Sequence, residues 1–316
     1  MKNLLLSAFF TCFIISANAQ LSVGPPGAIK PTNFKKKDIE EMQSSTTCFV
    51  IRESDKEHLS TIENILKDVW KFNKYEIIDF NQYLTMANKP GKIFFGIRSY
   101  NRSSEYVKSA DLFGKYTQFT NMFIQLWKNG NEAKPNNIDE TVMAIMSIPT
   151  PYGLYKELRE IQTLDAFALI CKSDVIISEW NWGFLKNNIQ VINNCLMENK
   201  PRWNFASDVD KKEIGKLASQ KLYVDENSIK SVDKRESGKP FDKYPFKTEM
   251  ISTQDLGKKI VESTSPFYYF MVYYDGTDKI VAVRNSATGD FVYSKYKGLA
   301  YFLKAKDIES LADEIK

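Results

Sequence analysis

Apolar and polar positions alternate along this chain with two periods, and the switches between them predict an α/β protein. Thr47-Cys48-Phe49-Val50-Ile51 is an apolar run of strand length. Ser54-Asp55-Lys56-Glu57 follows with the spacing of a capping box, in which each end residue's side chain bonds the other's backbone N–H. Leu59, Ile62, Leu66 and Val69 recur at helical spacing beside Trp70, and 75–80 reads as a second strand. Strand, helix and strand with short links predict a β-α-β unit with parallel strands.

Further strands are expected at 92–99, 120–128 and 141–148, the last stopped by Pro149-Thr150-Pro151. The middle one also fits a helix, through Phe123, Leu126 and Trp127, and is taken as a strand because Asn129-Gly130 supplies a turn. Helical periodicity covers 152–171, 184–199 and, more briefly, 208–218, and 222–224 is a short strand. The span 225–250 is polar, with its most flexible point at Ser237-Gly238-Lys239-Pro240. An aromatic strand at 267–274 turns at Asp275-Gly276 into 279–284, then at 286–289 into 290–294, and a helix closes the chain. The expected organisation is a mixed-sheet α/β domain over 47–235, a linker over 236–250, and an antiparallel β-meander with terminal helix over 251–316, packed on the main body. No internal repeat with a consistent period is found.

The first nineteen residues carry their own pattern. Lys2 precedes an apolar stretch from 4 to 15, and Ala17-Asn18-Ala19 offers the small-x-small site of signal peptidase. Phe9-Phe10-Thr11 is too bulky before Cys12 for a lipid-anchor signal. The chain is therefore expected to be exported, starting at Gln20. Its Lys, Asn and Ile bias suggests a bacterium, and the periplasm is the expected address. No later stretch approaches the 18 uninterrupted apolar residues of a membrane span. Residues 20–46, with Gly24-Pro25-Pro26-Gly27 and Lys35-Lys36-Lys37, read as an extended arm, either a free tail or a strap ordered on a partner through Pro25, Pro26 and Phe34.

Composition narrows the chemistry. The full chain holds 43 basic and 39 acidic residues, a net charge of +4, too small to point to nucleic acid or an anionic surface. There is one histidine, His58, so any Ser-His or Cys-His pair would have to use it, yet it falls in a charged first helical turn where histidines are solvated. No G-x-S-x-G, H-E-x-x-H, P-loop or G-x-G-x-x-G occurs, so no cofactor, metal or catalytic set is expected. Cys48, Cys171 and Cys195 are an odd set, compatible with a Cys171–Cys195 bridge or with three small buried hydrophobes.

Two features invite binding. In Ser178-Glu179-Trp180-Asn181-Trp182-Gly183 an acid beside two indoles could serve a glycan or small ligand, through Trp180, Trp182 and Glu179, or a carboxylate-dependent hydrolase. The aromatic strand places Tyr268, Tyr269, Tyr273 and Tyr274 on both faces, giving either a Tyr-rich docking surface or a strand buried on both sides.

The opening Cys48–Ile51 strand, its helix and the run Tyr75-Glu76-Ile77-Ile78-Asp79-Phe80-Asn81-Gln82-Tyr83 resemble the β-α-β start of envelope domains of the TolB N-terminal and curli-secretion-lipoprotein type over residues 47–85. In those, the second strand runs into a short polar turn and a helix. The resemblance implies a non-catalytic module holding partners together, although this chain lacks the lipid-anchor cysteine and the propeller or barrel partner. The reading that follows is a non-enzymatic exported scaffold that binds other envelope or outer-membrane proteins, with the ligand binder as its alternative.

Overall fold

The fold is described from a computed structural model, for residues 21–24, 31–103, 118–129, 140–148, 158, 161, 163–177, 180–202, 207–229, 240–275, 278–298, 300 and 302–316. Two six-stranded mixed sheets confirm the α/β class. The first contains β1 (Ser22–Val23), β2 (Thr46–Val50), β3 (Lys74–Ile78), β4 (Lys92–Ser103), β5 (Gln118–Asn129) and β6 (Glu140–Ile148), in the spatial order 1-6-5-4-2-3. The second contains β7 (Asp208–Val209), β8 (Leu222–Asp225), β9 (Thr248–Ile251), β10 (Tyr268–Asp275), β11 (Asp278–Asn285) and β12 (Phe291–Lys297), in the order 7-12-11-10-8-9.

These orders are the same. In each sheet three parallel strands (β3-β2-β4 and β9-β8-β10) pass into an antiparallel meander, and a two-residue strand closes the far edge. The paired residues that open the central parallel ladder are 46 positions apart in both, Thr46 with Lys92 and Leu222 with Tyr268. The chain is an internal topological duplication.

Helices fill three layers around the sheets. They are α1 (Lys36–Ser44), α2 (Leu59–Val69), α3 (Phe80–Met86), α4 (Thr163–Lys172), α5 (Trp182–Met197), α6 (Lys211–Ile214), α7 (Glu226–Ile229), α8 (Thr253–Glu262) and α9 (Ala305–Ile315). Strand alternation sends Phe49, Ile51, Phe95 and Ile97 of the first sheet, and Tyr269, Met271, Ile280 and Ala282 of the second, into one shared core with α2, α5 and α8. The opposite face of the first sheet, with Cys48, Val50, Phe94 and Trp127, is covered by α3 and α4. The outer face of the second, with Tyr268, Phe270, Val281 and Val283, is covered by α6 and α9. The helix between second and third strands is outside in the first unit (α3) and inside in the second (α8), so the units stack face to back.

α5 is the axle of this stack. It is buried almost all round, and its asparagines bridge the units. Asn193 Oδ1 accepts from the Lys71 and Phe72 N–H groups of the first unit at 2.7 and 3.0 Å. Asn187 Nδ2 donates to Ser286 O, and its Oδ1 accepts from the Tyr269 hydroxyl at 2.8 Å, in the second. Near its start, Gly183 meets the backbone of Gly257 on α8 with no space for a side chain. A Cβ on Gly257 would stand 2.5 Å from Asn181 Oδ1. Gly257→Ala is therefore expected to cost about 1–3 kcal/mol by forcing the helices apart, read as a fall in the thermal midpoint, although alanine is the better helix former.

Several expectations are corrected. The described parts of the 20–46 arm, 21–24 and 31–46, are folded onto their own chain: Val23 pairs with Ala144, Phe34 is buried, its N–H and C=O bonded by the Asn199 side chain, and 36–44 is a helix anchored by Met42. The lysine and glutamate run had concealed that helix, because only one narrow stripe faces inward. The second strand ends at Ile78, and Asp79 caps α3 in a reciprocal pair with Gln82. Residues 208–218 split into β7, α6 and a 3-10 turn. The sheets divide before β7 and not at 236, since β7 and β8 from the expected first domain, and β9 from the expected linker, belong to the second sheet. The hairpin at Asp275 is present, with Asp275 opposite Asp278.

Candidate functional site

The carboxyl ends of parallel strands are where open α/β sheets expose loops and hold ligands. Here the two units bring theirs together at residues 180–183. At the end of β2, Asp55 is buried and gathers four donors. Its Oδ2 accepts from the Arg52 N–H at 3.0 Å, from Arg52 Nε at 3.2 Å and from the Trp180 indole at 3.0 Å, and its Oδ1 from Arg52 Nη2 at 2.9 Å. Asp55 thus caps the 3-10 turn Glu53–His58 from its third position, and the expected Ser54–Glu57 box does not form. Ser54 Oγ instead donates to Ser173 O at 3.3 Å.

From the second unit, Asn181 Nδ2 donates to Thr253 O at 3.2 Å while its Oδ1 caps α5 by accepting from the Phe184 N–H at 2.9 Å. Asp225, at the end of β8, accepts from the Asn227 N–H at 3.2 Å and from the Thr253 hydroxyl. One tetrapeptide therefore ties Asp55 of the first unit to Thr253 of the second.

Around this joint a few apolar side chains reach the surface among charged ones. Segment 173–177 is held by Arg52 Nη1 donating to Val175 O at 2.8 Å and by Val175 N–H donating to Ser173 Oγ at 3.1 Å. Ile176, within it, is 77% exposed, the most exposed of the large hydrophobics among the described residues. On the same end Trp182 is half-buried with its ring 5.4 Å from that of His58, and the next residue, Leu59, is exposed. His58 Nε2 stands 3.4 Å from Glu57 Oε1 on an open face, as a solvated histidine should. The Gln82 N–H, opposed by partial burial and aided by Lys56, holds the nearby Asp79 carboxyl below the usual carboxylate range.

The expected ligand platform is not assembled. Trp180 is buried, stacked on Phe95 at 6.4 Å, with its one polar atom used by Asp55. The cavity it lines with Phe49, Ile65, Leu185 and other apolar side chains holds about 10 Å³, room for no more than a water and without polar partners to keep one. Two indoles three or fewer positions apart cannot both face a ligand when one is needed in the core. Trp182 alone stays at the surface, and Glu179 lies outside the described residues.

The tyrosine surface is corrected as well. Tyr268, Tyr269 and Tyr273 are buried because both faces of β10 are covered. The Tyr268 hydroxyl donates to Glu213 at 2.8 Å, and Tyr269 to Asn187. The side chain of Tyr274 and all of Pro25 and Pro26 lie outside the described residues. Cys171 packs beside Cys48 on the outer face of the first sheet, whereas Cys195 lies on the inner side on α5, so no Cys171–Cys195 bridge exists. Burial pushes these thiols up to about 12 for Cys171 and about 11 for Cys48 and Cys195, which keeps them protonated and unreactive. Among the described residues no three histidine, cysteine or acidic side chains gather as metal ligands.

The sequence points to the 178–183 segment but not to Ile176, Leu59 or the Arg52–Asp55 clamp. The apolar Val175-Ile176-Ile177 run was the available signal, since one of three consecutive apolar residues in an extended segment must point outward. No protein-family model, characterised protein or solved structure matches the chain. No helix among the described residues is long and apolar enough to cross a membrane.

Proposed function

We propose that this is a non-enzymatic, exported protein of the bacterial envelope, periplasmic in location, that docks another envelope protein on the end of the molecule where the two units join. The observation that carries the reading is Ile176: a large apolar side chain left 77% exposed on a segment fixed by partly buried hydrogen bonds. An aliphatic anchor held rigid in advance, with an indole on the same end, is the arrangement that partner binding rewards, because little side-chain freedom is lost on association. The signal-like first nineteen residues support export. The resemblance of residues 47–85 to partner-holding envelope modules supports the scaffold role, and the Trp180–Asp55 bond argues against the glycan alternative.

Ile176→Asp tests this. The side chain is exposed, so the variant should melt with the wild type, within about 0.5 kcal/mol. It should lose most of the stoichiometric partner recovered after crosslinking in the native envelope. Equal recovery by variant and wild type refutes the docking surface.

A further inference from the structure

We propose that two copies of this chain pair along the free edge of β3, antiparallel about Tyr75, joining their first sheets into one. The direction of the edge follows from a single bond. The Ile51 N–H donates to Ile78 O at 2.9 Å, and main-chain groups alternate sides along a strand. Residues 74, 76 and 78 therefore address β2, while Tyr75 and Ile77 turn their N–H and C=O groups outward. β3 is the last strand of its sheet, and no described residue bonds those outward groups.

The side chains say which strand fits. In an antiparallel pair centred on Tyr75, Lys74 stands opposite the second copy's Glu76, and Glu76 opposite the second copy's Lys74. Lys74-Tyr75-Glu76 is its own complement, and opposite charges directly across a ladder stabilise it. Lys74 is exposed and makes no ion pair within the described chain. Glu76 is half-exposed, and Lys92 Nζ reaches both of its carboxylate oxygens at 3.1 Å, so the second copy's Lys74 would share a carboxylate that already has one cation. Beside the edge, on the face where Tyr75 leans against Phe49, an open hollow of about 450 Å³ is lined by Glu63, Asn64, Lys67, Tyr75, Glu76 and Ile77. It has room for the tyrosine ring that the second copy brings. Across the two-fold axis, Glu63 and Lys67 of α2 also face their opposites, as an isologous contact requires.

The second unit repeats the pattern at Lys247-Thr248-Glu249. The Leu222 N–H bond to Lys247 O turns Thr248 and Met250 outward there, but a threonine replaces the axial ring. The β9 edge is thus the internal control. The pairing does not depend on the docking end proposed above, and either can fail alone.

Sedimentation of the purified protein over a wide concentration range tests the pairing. A reversible dimer is expected. Lys74→Glu should weaken it roughly five-fold or more, and adding Glu76→Lys to that variant should restore it. Ile77→Pro removes an outward N–H together with part of a side chain packed on the shared core, so it should yield a monomer that melts somewhat lower, while Thr248→Pro should leave the dimer intact. A monomer at every concentration overturns the proposal. So does a dimer indifferent to Lys74→Glu, or one broken by Thr248→Pro instead; if Ile77→Pro fails to fold, the charge reversals decide.

Discussion

Asp307→Asn should destabilise the protein by about 3–5 kcal/mol, the loss expected when a buried ion pair is broken from one side. Asp307 and Lys279 are each 1% exposed and bonded to one another, and Lys297 reaches the same carboxylate from the rim. The Lys304 N–H donates to Asp307 Oδ2 at 2.9 Å, so the group also caps α9, and Lys279 Nζ donates to Phe302 O at 2.6 Å. Burial alone would raise the Asp307 carboxyl, but the two lysines and the Lys304 amide outweigh it and hold it below the ordinary range. Burial pulls the Lys279 ammonium down, against the Asp307 carboxylate. A carboxyl depressed on folding contributes stability above its unfolded value, about pH 4, and that stability fades as pH falls towards the folded value. Urea titrations should therefore show the wild type losing stability on acidification below about pH 4, with Asp307→Asn lacking this part of the slope. The pair Lys279→Met with Asp307→Leu should recover most of the loss, since apolar replacements leave no fully buried charge stranded and Lys297, 31% exposed, turns to solvent.

Asp55→Asn should cost a similar amount, about 3–5 kcal/mol, and should reach further. It leaves the Arg52 guanidinium, 11% exposed, without its counter-ion and weakens the acceptor of the Trp180 indole. Arg52 also holds segment 173–177, so the variant should loosen the frame around Ile176 and lower partner recovery while its remaining fold is intact. Hydrogen exchange reads both effects. Amides of 173–177 and 180–183 should exchange faster in Asp55→Asn by more than the global loss of stability accelerates those of β10 and β11. Uniform acceleration would mean the clamp serves the whole fold and not the docking end.

What the sequence made legible follows from periodicity and turn chemistry. The β2-α2-β3 opening was readable because Leu59, Ile62, Leu66 and Val69 share one face, and the meander because Asp275-Gly276 has hairpin chemistry. The duplication was not readable. It lives in spacing and strand order, and the matched strands Thr46–Val50 and Leu222–Asp225 share almost no residues. The role of α5 was hidden for a related reason. Asn187, Asn188 and Asn193 look like a wet helix face, yet they are buried against the two units, where Asn187 and Asn193 bond main-chain groups and Asn188 accepts from the Arg284 guanidinium. The burial of β10 could not be told from an exposed tyrosine face by alternation alone, because aromatic residues suit both. Only the third layer of helices, α6 and α9, decides between them.

The most direct test of the account is site-specific photo-crosslinking in the living cell, with the reactive side chain placed at position 176. One discrete adduct with a second envelope protein is predicted, lost when Trp182→Ala is added and absent when the same group is placed at Leu84, an exposed position on α3. No adduct from position 176, or the same adduct from both positions, would contradict it.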